Sequence, residues 1–295
     1  MEFIKYQATG NDFVLVDAIG MPSKDWQALS RVVCDRHFGV GADGILLVLP
    51  SKKSDYRMRI FNPDGSEAEI CGNGLRCFAR YVVETRRKGK AGKITIETLA
   101  GIKEATPYLE KGLVKAVRLA MGKPSLKLGD LPAALPGYRG KTPVLDYPLQ
   151  LARSQTRPGG KSLALTFVSM GNPHAVHFLK EGEKADKFPL SKIGPLVENH
   201  AFFPRRTNFE IVQVIDRKTL VARVWERGAG ETLSCGSGAC AVTVAAKLKG
   251  LIGDEVDIKL PGGVLTLSWD GKGEVIMRGS VEEVFRGAWK EEQWA

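Results

Sequence analysis

Apolar and polar residues alternate with a period of two along most of this chain, the pattern of strands with one buried face. "YRMRIF" (56–61) alternates and "NPDG" closes it as a turn. "KITIET" (93–98), "LVKAVRL" (113–119), "SLALTFV" (162–168), "NFEIVQVI" (208–215), "LVARVW" (220–225) and "VLTLSW" (264–269) follow suit. Asp-Gly, Lys-Gly and Gly-Gly pairs separate several of them, as hairpins require. Three stretches switch to helical spacing. Residues 23–35, "SKDWQALSRVVCD", predict a helix with Ser23 as its N-cap. "LRCFARYVVETRR" sets Leu75, Phe78, Ala79 and Val82 on one broad apolar face. "ACAVTVAAKL" (239–248) is apolar nearly all round, so it must be buried on most sides. A sheet wrapped around one central helix meets that need.

The pattern also repeats. Strands, a turn, a Cys-Gly-x-Gly stretch, a buried helix and more strands occur once around "ICGNGLRC" (70–77) and again around "SCGSGACA" (234–241). This predicts an α+β protein of two similar units. Residues 123–161, rich in Pro, Gly and Lys, break the pattern and read as an extended insertion or long hairpin near the junction.

Composition narrows the classes. The chain has 295 residues, 43% of them hydrophobic, enough for two cores. No run is long and apolar enough to span a membrane. The N-terminal "MEFIKYQATG" lacks the apolar region of a signal peptide, so a cytoplasmic location is expected. The net charge is +10, and the densest basic run is "RRKGKAGK" (86–93). It falls where a helix ends, where cations are favoured, and no aromatic residues interleave it. A solvated surface is expected there, and no nucleic-acid partner. The cysteines number five, and none forms a C-x-x-C pair, which argues against a disulfide framework or a zinc site. His174 and His177 in "HAVH" would point to opposite faces of a strand. No metal is expected.

Cys34, Cys77 and Cys240 read as buried, inert thiols. Cys71 and Cys235 differ. Each stands just ahead of a helix N-terminus, beside glycines that let a ligand approach the backbone. Unpaired N–H groups there favour an anion, either a thiolate of lowered pKa or a bound carboxylate. Set face to face, the two would flank one carbon with a thiol on either side. Inverting a stereocentre needs that arrangement: a proton leaves one face and another arrives at the opposite one. The helix N-termini would stabilise charge on the adjacent carboxylate. This describes racemisation or epimerisation of an amino acid with no cofactor.

The segments "KYQATGNDFVLVD" (5–17), "RHFGVGADGILLV" (36–48), "FNPDGSEAEICGNGLRCFARYV" (61–82), "GNPHAV" (171–176), "RTNFEIV" (206–212), "WERGAGETLSCGSGACA" (225–241) and "GSVEEVFRGAW" together resemble the diaminopimelate epimerase family. The resemblance implies two pseudo-symmetric domains, each a mostly antiparallel β-roll around a central helix, with the active site in the interdomain cleft. It places one domain at 1–117, joined by the final strand at about 281–295, and the other at 118–280. It implies interconversion of LL- and meso-diaminopimelate, a step toward lysine and peptidoglycan precursors, and a possible homodimer. Cys71 and Cys235 match the acid/base pair. Gly72, Asn73, Gly236 and Ser237 match donors around the reacting carboxylate. Asn11, Asn62, Asn172, Asn208 and Arg227 match groups that hold the substrate, and His174 and Glu226 match groups close to the thiols. Asn62 and Asn172 could instead serve only their turns, and Glu226 and Arg227 only a surface ion pair. Gly44 stands where some members carry glutamine, and 123–161 is longer than usual. Two other readings stay open at this point: a proline or hydroxyproline racemase, and a non-catalytic anion-binding protein. Arg227, suited to a second carboxylate, argues against the first, and the paired thiols argue against the second.

Overall fold

The computed structural model describes residues 1–90, 92–131, 135, 143–151 and 162–290. The chain divides into two compact units, Met1–Ala120 with Arg278–Ala295, and Met121–Met277. Among the described residues, no helix is long and apolar enough to cross a membrane.

In the first unit, β1 (Glu2–Ala8) and β2 (Asn11–Asp17) form a hairpin, and α1 (Trp26–Val33) leads to β3 (Gly44–Leu49). β4 (Tyr56–Phe61), the short β5 (Glu67–Ala68), α2 (Gly72–Tyr81), β6 (Ile94–Thr98), β7 (Gly101–Glu110) and β8 (Leu113–Ala120) follow. Pairing is mostly antiparallel, with parallel pairs β2–β3 and β4–β6. The last strand of the chain, β18 (Glu282–Ala288), lies antiparallel to β1.

The second unit repeats this order. β9 (Tyr147–Gln150) lies antiparallel to β10 (Ser162–Ser169), as β18 does to β1. β10 pairs with β11 (Pro173–Phe178), α3 (Leu190–Glu198) intervenes, and β12 (Asn208–Asp216) lies parallel to β11. Then come β13 (Thr219–Glu226), β14 (Gly230–Thr232), α4 (Gly236–Leu248), β15 (Glu255–Leu260) and β16 (Gly263–Ser268), with β13–β15 again parallel. The chain re-enters the first unit within β17 (Ile276–Ser280).

α2 and α4 are the central helices of their units. Every residue of α2 from Asn73 to Tyr81 is buried, and in α4 every residue from Gly238 to Ala246 is. α4 accepts this because it is apolar nearly all round, and α2 because its buried Asn73, Arg76 and Arg80 are hydrogen-bonded. In α4 the small residues Ala, Val, Cys and Thr let strands approach on several sides, and Thr243 returns its hydroxyl to the Ala239 carbonyl (3.0 Å). A separate apolar cluster joins α3 to the sheet through Leu190, Ile193, Val197, Phe167, Phe203 and Phe209.

Three sequence expectations change. α1 starts at Trp26, and Asp25 rather than Ser23 caps it, accepting from the Ala28 N–H (2.9 Å). Both residue types cap well, so apolar periodicity could not choose between them. α2 begins at Gly72, three residues before its apolar face, and ends in a π-turn at Val82–Arg86. α3 has no counterpart in the expected helices, because Gly194 and Pro195 sit inside it. The basic run is the solvated surface expected, with Arg86, Lys88, Lys90 and Lys93 exposed, though Arg86 meets Asp17 (2.5 Å) and Arg87 meets Asp55 (3.0 Å). Of the expected 123–161 insertion, 132–134, 136–142 and 152–161 lie outside the described residues, and its later part supplies β9.

Candidate active site

Cys71 and Cys235 occupy the same local geometry. Each is the N-cap of its central helix, with an extended backbone, φ −141° and −124°. Each sulfur accepts from the N–H two residues inside the helix start, Gly74 or Gly238, at 3.4 Å. Gly72–Asn73 and Gly236–Ser237 therefore form the first residues of α2 and α4, where N–H groups have no carbonyl within the helix to bond. The glycines three residues after the thiols leave little room for a side chain. A Cβ at Gly74 would lie 3.1 Å from Leu46, and one at Gly238 only 2.9 Å from Glu210 and 3.4 Å from the Cys235 sulfur.

Around Cys71 a polar lattice fixes Asn11. The Asn11 Nδ2 donates to Asp43 (2.6 Å), which can only accept, so its Oδ1 faces the Cys71 sulfur (3.6 Å) and accepts from Asn73 (3.1 Å). Asp43 and Asp12 are bridged by Arg36 at 2.7 Å each, and Lys5 pairs with Asp12 at 2.8 Å. Burial opposes the Asp12 charge, but the Arg36 and Lys5 hydrogen bonds outweigh it and hold this carboxyl at about 2. Below Asn73 lies the fully buried Arg76, which donates to Asn73 Oδ1 and Thr9 Oγ1, both at 2.9 Å. Burial lowers its pKa to about 10.

Around Cys235 the groups differ. Ser237 lies 3.5 Å from the sulfur, and Asn172 donates to the Ser237 hydroxyl at 3.3 Å. Asn172 also meets His174 Nε2 (3.0 Å), and His174 Nδ1 meets Glu210 at 2.6 Å. Glu226, at the end of β13, accepts from Thr232 (2.5 Å). The expected lowering of the Cys235 pKa is overturned. Burial foremost, then the Glu226 carboxylate, pushes this thiol well above its usual range, with Glu210 adding, and the Ser237 hydroxyl only partly offsets them. The helix terminus is real, but the loss of water and the Glu226 carboxylate outweigh it.

The remaining expected residues are placed as follows. Asn62 donates to Ser66 Oγ (2.9 Å) and its backbone closes the same turn. Asn208 is buried and spends its amide on backbone, donating to Pro173 O and accepting from the Arg227 N–H, both at 2.9 Å. Glu226 and Arg227 are not paired to each other: the Arg227 guanidinium, exposed, meets the Arg205 carbonyl (3.1 Å). His174 is buried and His177 half-buried, as opposite faces of β11 require. The sequence reading missed Glu210, Thr232, Asp43 and Arg76. Only Arg76 left a local signal, a cation set inside an apolar helix face. Among the described residues no His, Cys, Asp and Glu cluster of metal-binding size occurs.

The fold is shared with solved racemase and epimerase structures. A probable proline racemase from Agrobacterium radiobacter with bound carbonate superposes with a TM-score of 0.66 at 15% identity, covering 99% of this chain and 94% of that one. A hydroxyproline epimerase from Agrobacterium vitis with bound trans-4-hydroxy-L-proline gives 0.67 at 15%, covering 97% and 91%. The family model for diaminopimelate epimerase matches residues 3–127 and 166–284, and the chain belongs to that family. The match leaves out 128–165, most of the insertion. The diaminopimelate epimerase of Moorella thermoacetica is 48% identical over 290 residues, 97% of this chain and 98% of its relative. That of Methanococcus maripaludis is 46% identical over 288 residues, 97% and 99%.

Proposed function

We propose that this chain interconverts LL- and meso-diaminopimelate through Cys71 and Cys235. One observation carries the reading: the same N-capping cysteine, with the same sulfur-to-N–H bond at 3.4 Å, occurs at the head of the central helix in both units. In this reading one sulfur, as thiolate, takes the α-proton and leaves the electron pair on the α-carbon. The adjacent carboxylate spreads that charge, and N–H groups at the helix starts stabilise it. The other sulfur, as thiol, delivers its proton to the opposite face. Substrate and product then differ by one inverted centre, and the two sulfurs have exchanged protonation states. Acid, base and charge stabilisation all come from the chain, so no cofactor is called for. The cysteines described are all free thiols, which suits a reducing compartment such as the cytoplasm.

The test is epimerisation by purified protein in heavy water, with LL- or meso-diaminopimelate as the only addition. We expect deuterium in the product isomer before the substrate isomer, and no epimerisation by Cys71→Ala or Cys235→Ala. Turnover of proline instead of diaminopimelate, or full activity in either variant, would overturn the reading.

A further inference from the structure

The duplicated fold supplies its own control. The parallel pairs register Phe13 with Gly44 in the first unit and His174 with Asn208 in the second. Two residues further along those strands stand Leu46 and Glu210. Their equivalence is confirmed from above: Leu46 is what a Cβ at Gly74 would meet, and Glu210 is what one at Gly238 would meet. Beneath α2 the fold thus packs Phe13 and Leu46, and beneath α4 it packs His174 and Glu210. All four are fully or nearly fully buried. The position needs no charge to fold, since the first unit fills it with hydrocarbon. A buried carboxylate that replaces hydrocarbon is costly unless it is paired, and Glu210 Oε2 has no partner among the described residues.

The geometry assigns the protons. His174 has oxygens at both ring nitrogens, Glu210 at Nδ1 (2.6 Å) and Asn172 Oδ1 at Nε2 (3.0 Å). With Asn172 turned so that its Oδ1 faces this nitrogen and its Nδ2 faces Ser237, Nε2 carries the hydrogen. One more proton lies between Nδ1 and Oε1, whichever atom holds it. The pair carries two protons and no net charge, and burial, which raises the Glu210 pKa despite His174, favours that neutral state. Direction then propagates. Asn172 accepts from His174, so its Nδ2 donates to Ser237, and the Ser237 hydrogen is left for the Cys235 sulfur at 3.5 Å. Loss of one proton from the pair, taken from Nε2 while the shared proton settles on Nδ1, would leave Glu210 ionised with Nδ1–H donating to it. Nε2 would then become an acceptor, Asn172 would turn, and Ser237 would accept from the Cys235 thiol.

We propose that Glu210 is a positioning residue: with His174 it forms a two-proton pair that sets whether the chain through Asn172 and Ser237 donates to the Cys235 sulfur or accepts from it. The inference rests on the epimerase reading for its consequence, since a sulfur that alternates between thiolate and thiol needs both directions. The other ionisable groups facing the pair are Glu226 at the end of β13 and Cys235 itself. Glu226 repels charge on Glu210 and so helps the pair keep both protons.

Nitrogen-15 spectra of the full-length wild-type protein, with His37→Gln, His177→Gln and His200→Gln for assignment, test the proton count. At neutral pH we expect hydrogen on His174 Nε2 and a far-downfield proton signal at Nδ1, both changing in one alkaline transition. In wild type kcat should fall through that same transition. In Glu210→Gln, which has no shared carboxyl proton to lose, that limb of the pH profile should vanish or move up by about one pH unit or more, with KM changed less than about twofold. Ser237→Ala should remove the limb too, while leaving the His174 spectrum titrating as in wild type. A bare Nε2 in wild type at neutral pH overturns the inference, and so does an unaltered pH profile in Glu210→Gln. If that variant does not fold, the wild-type spectrum alone decides. A wild-type protein with the expected spectrum and no epimerisation would instead remove the epimerase reading.

Discussion

Arg227 is an exposed fork at the end of β13, held by its backbone to Asn208 and by one guanidinium bond to the Arg205 carbonyl. If it grips the distal carboxylate of the substrate, Arg227→Lys keeps the charge and loses the fork. We expect KM for diaminopimelate to rise about ten- to a hundredfold, the value of one or two charge-assisted hydrogen bonds. kcat should fall as well if that energy is used in the transition state. Unchanged steady-state kinetics would assign Arg227 to the Arg205 loop alone. At this scale the two cysteines were legible because their signal is local: an N-cap, two glycines and an apolar helix lie within a few residues. The "NPDG" turn headed by Asn62 was legible for the same reason. Glu210 was not. Its partner lies across a parallel pair, and only the β11–β12 register brings it under α4.

Among the elements, α3 shows how packing overrides propensity. Gly194 and Pro195 argue against a helix in sequence, yet Leu190, Ile193 and Val197 bury a stripe that repays the cost. Gly194 is there because Trp225 lies against it: an added Cβ would run into the indole ring. That ring is anchored, since Nε1 donates to Glu198 (2.7 Å), which also accepts from the Gly228 N–H (2.9 Å). Gly194→Ala gains up to about 1 kcal/mol of helix propensity and loses about 1–3 kcal/mol to overpacking. We therefore expect net destabilisation of the second unit, read as a lower urea midpoint with unchanged slope. A raised midpoint would mean the indole yields without cost. α4 was the easiest element to read, because a helix apolar on every side has only one place to go. α1 was read correctly as a helix but capped two residues early, since Ser23 and Asp25 are both competent caps.

Across the whole molecule, the duplication was visible as an order of elements but not as a register, because strand pairing depends on partners far apart in sequence. The return of β18 to β1 came from family resemblance; no local pattern encodes it. The four buried thiols divide between the units, with the half-buried Cys71 a fifth in the first. Cys34 and Cys77 are buried in the first unit, Cys235 and Cys240 in the second. Burial foremost raises all of them: Cys34 to about 12, the others further or in the same direction. The sign of the consequence follows. In the unfolded chain a thiol ionises near about pH 8.5, while in the folded chain these keep their protons. Between those limits the native state binds more protons than the unfolded one, so stability falls as pH rises. It is present in full below about pH 8.5, and the part due to Cys34 is lost completely only once pH passes about 12. Each such thiol removes about 1.4 kcal/mol per pH unit from its own unit once its unfolded counterpart has ionised. Urea unfolding under reductant at about pH 7.5 and about pH 10 should show this as a marked fall in midpoint. Lysines and tyrosines titrate nearby, so Cys240→Ala provides the control. Its cost at about pH 7.5 is that of a small cavity, about 1 kcal/mol. Its alkaline decline should be shallower than wild type by one thiol's share in the second unit. An identical decline in the two proteins would mean that water reaches Cys240 in the folded state, and that α4 is not sealed on all sides.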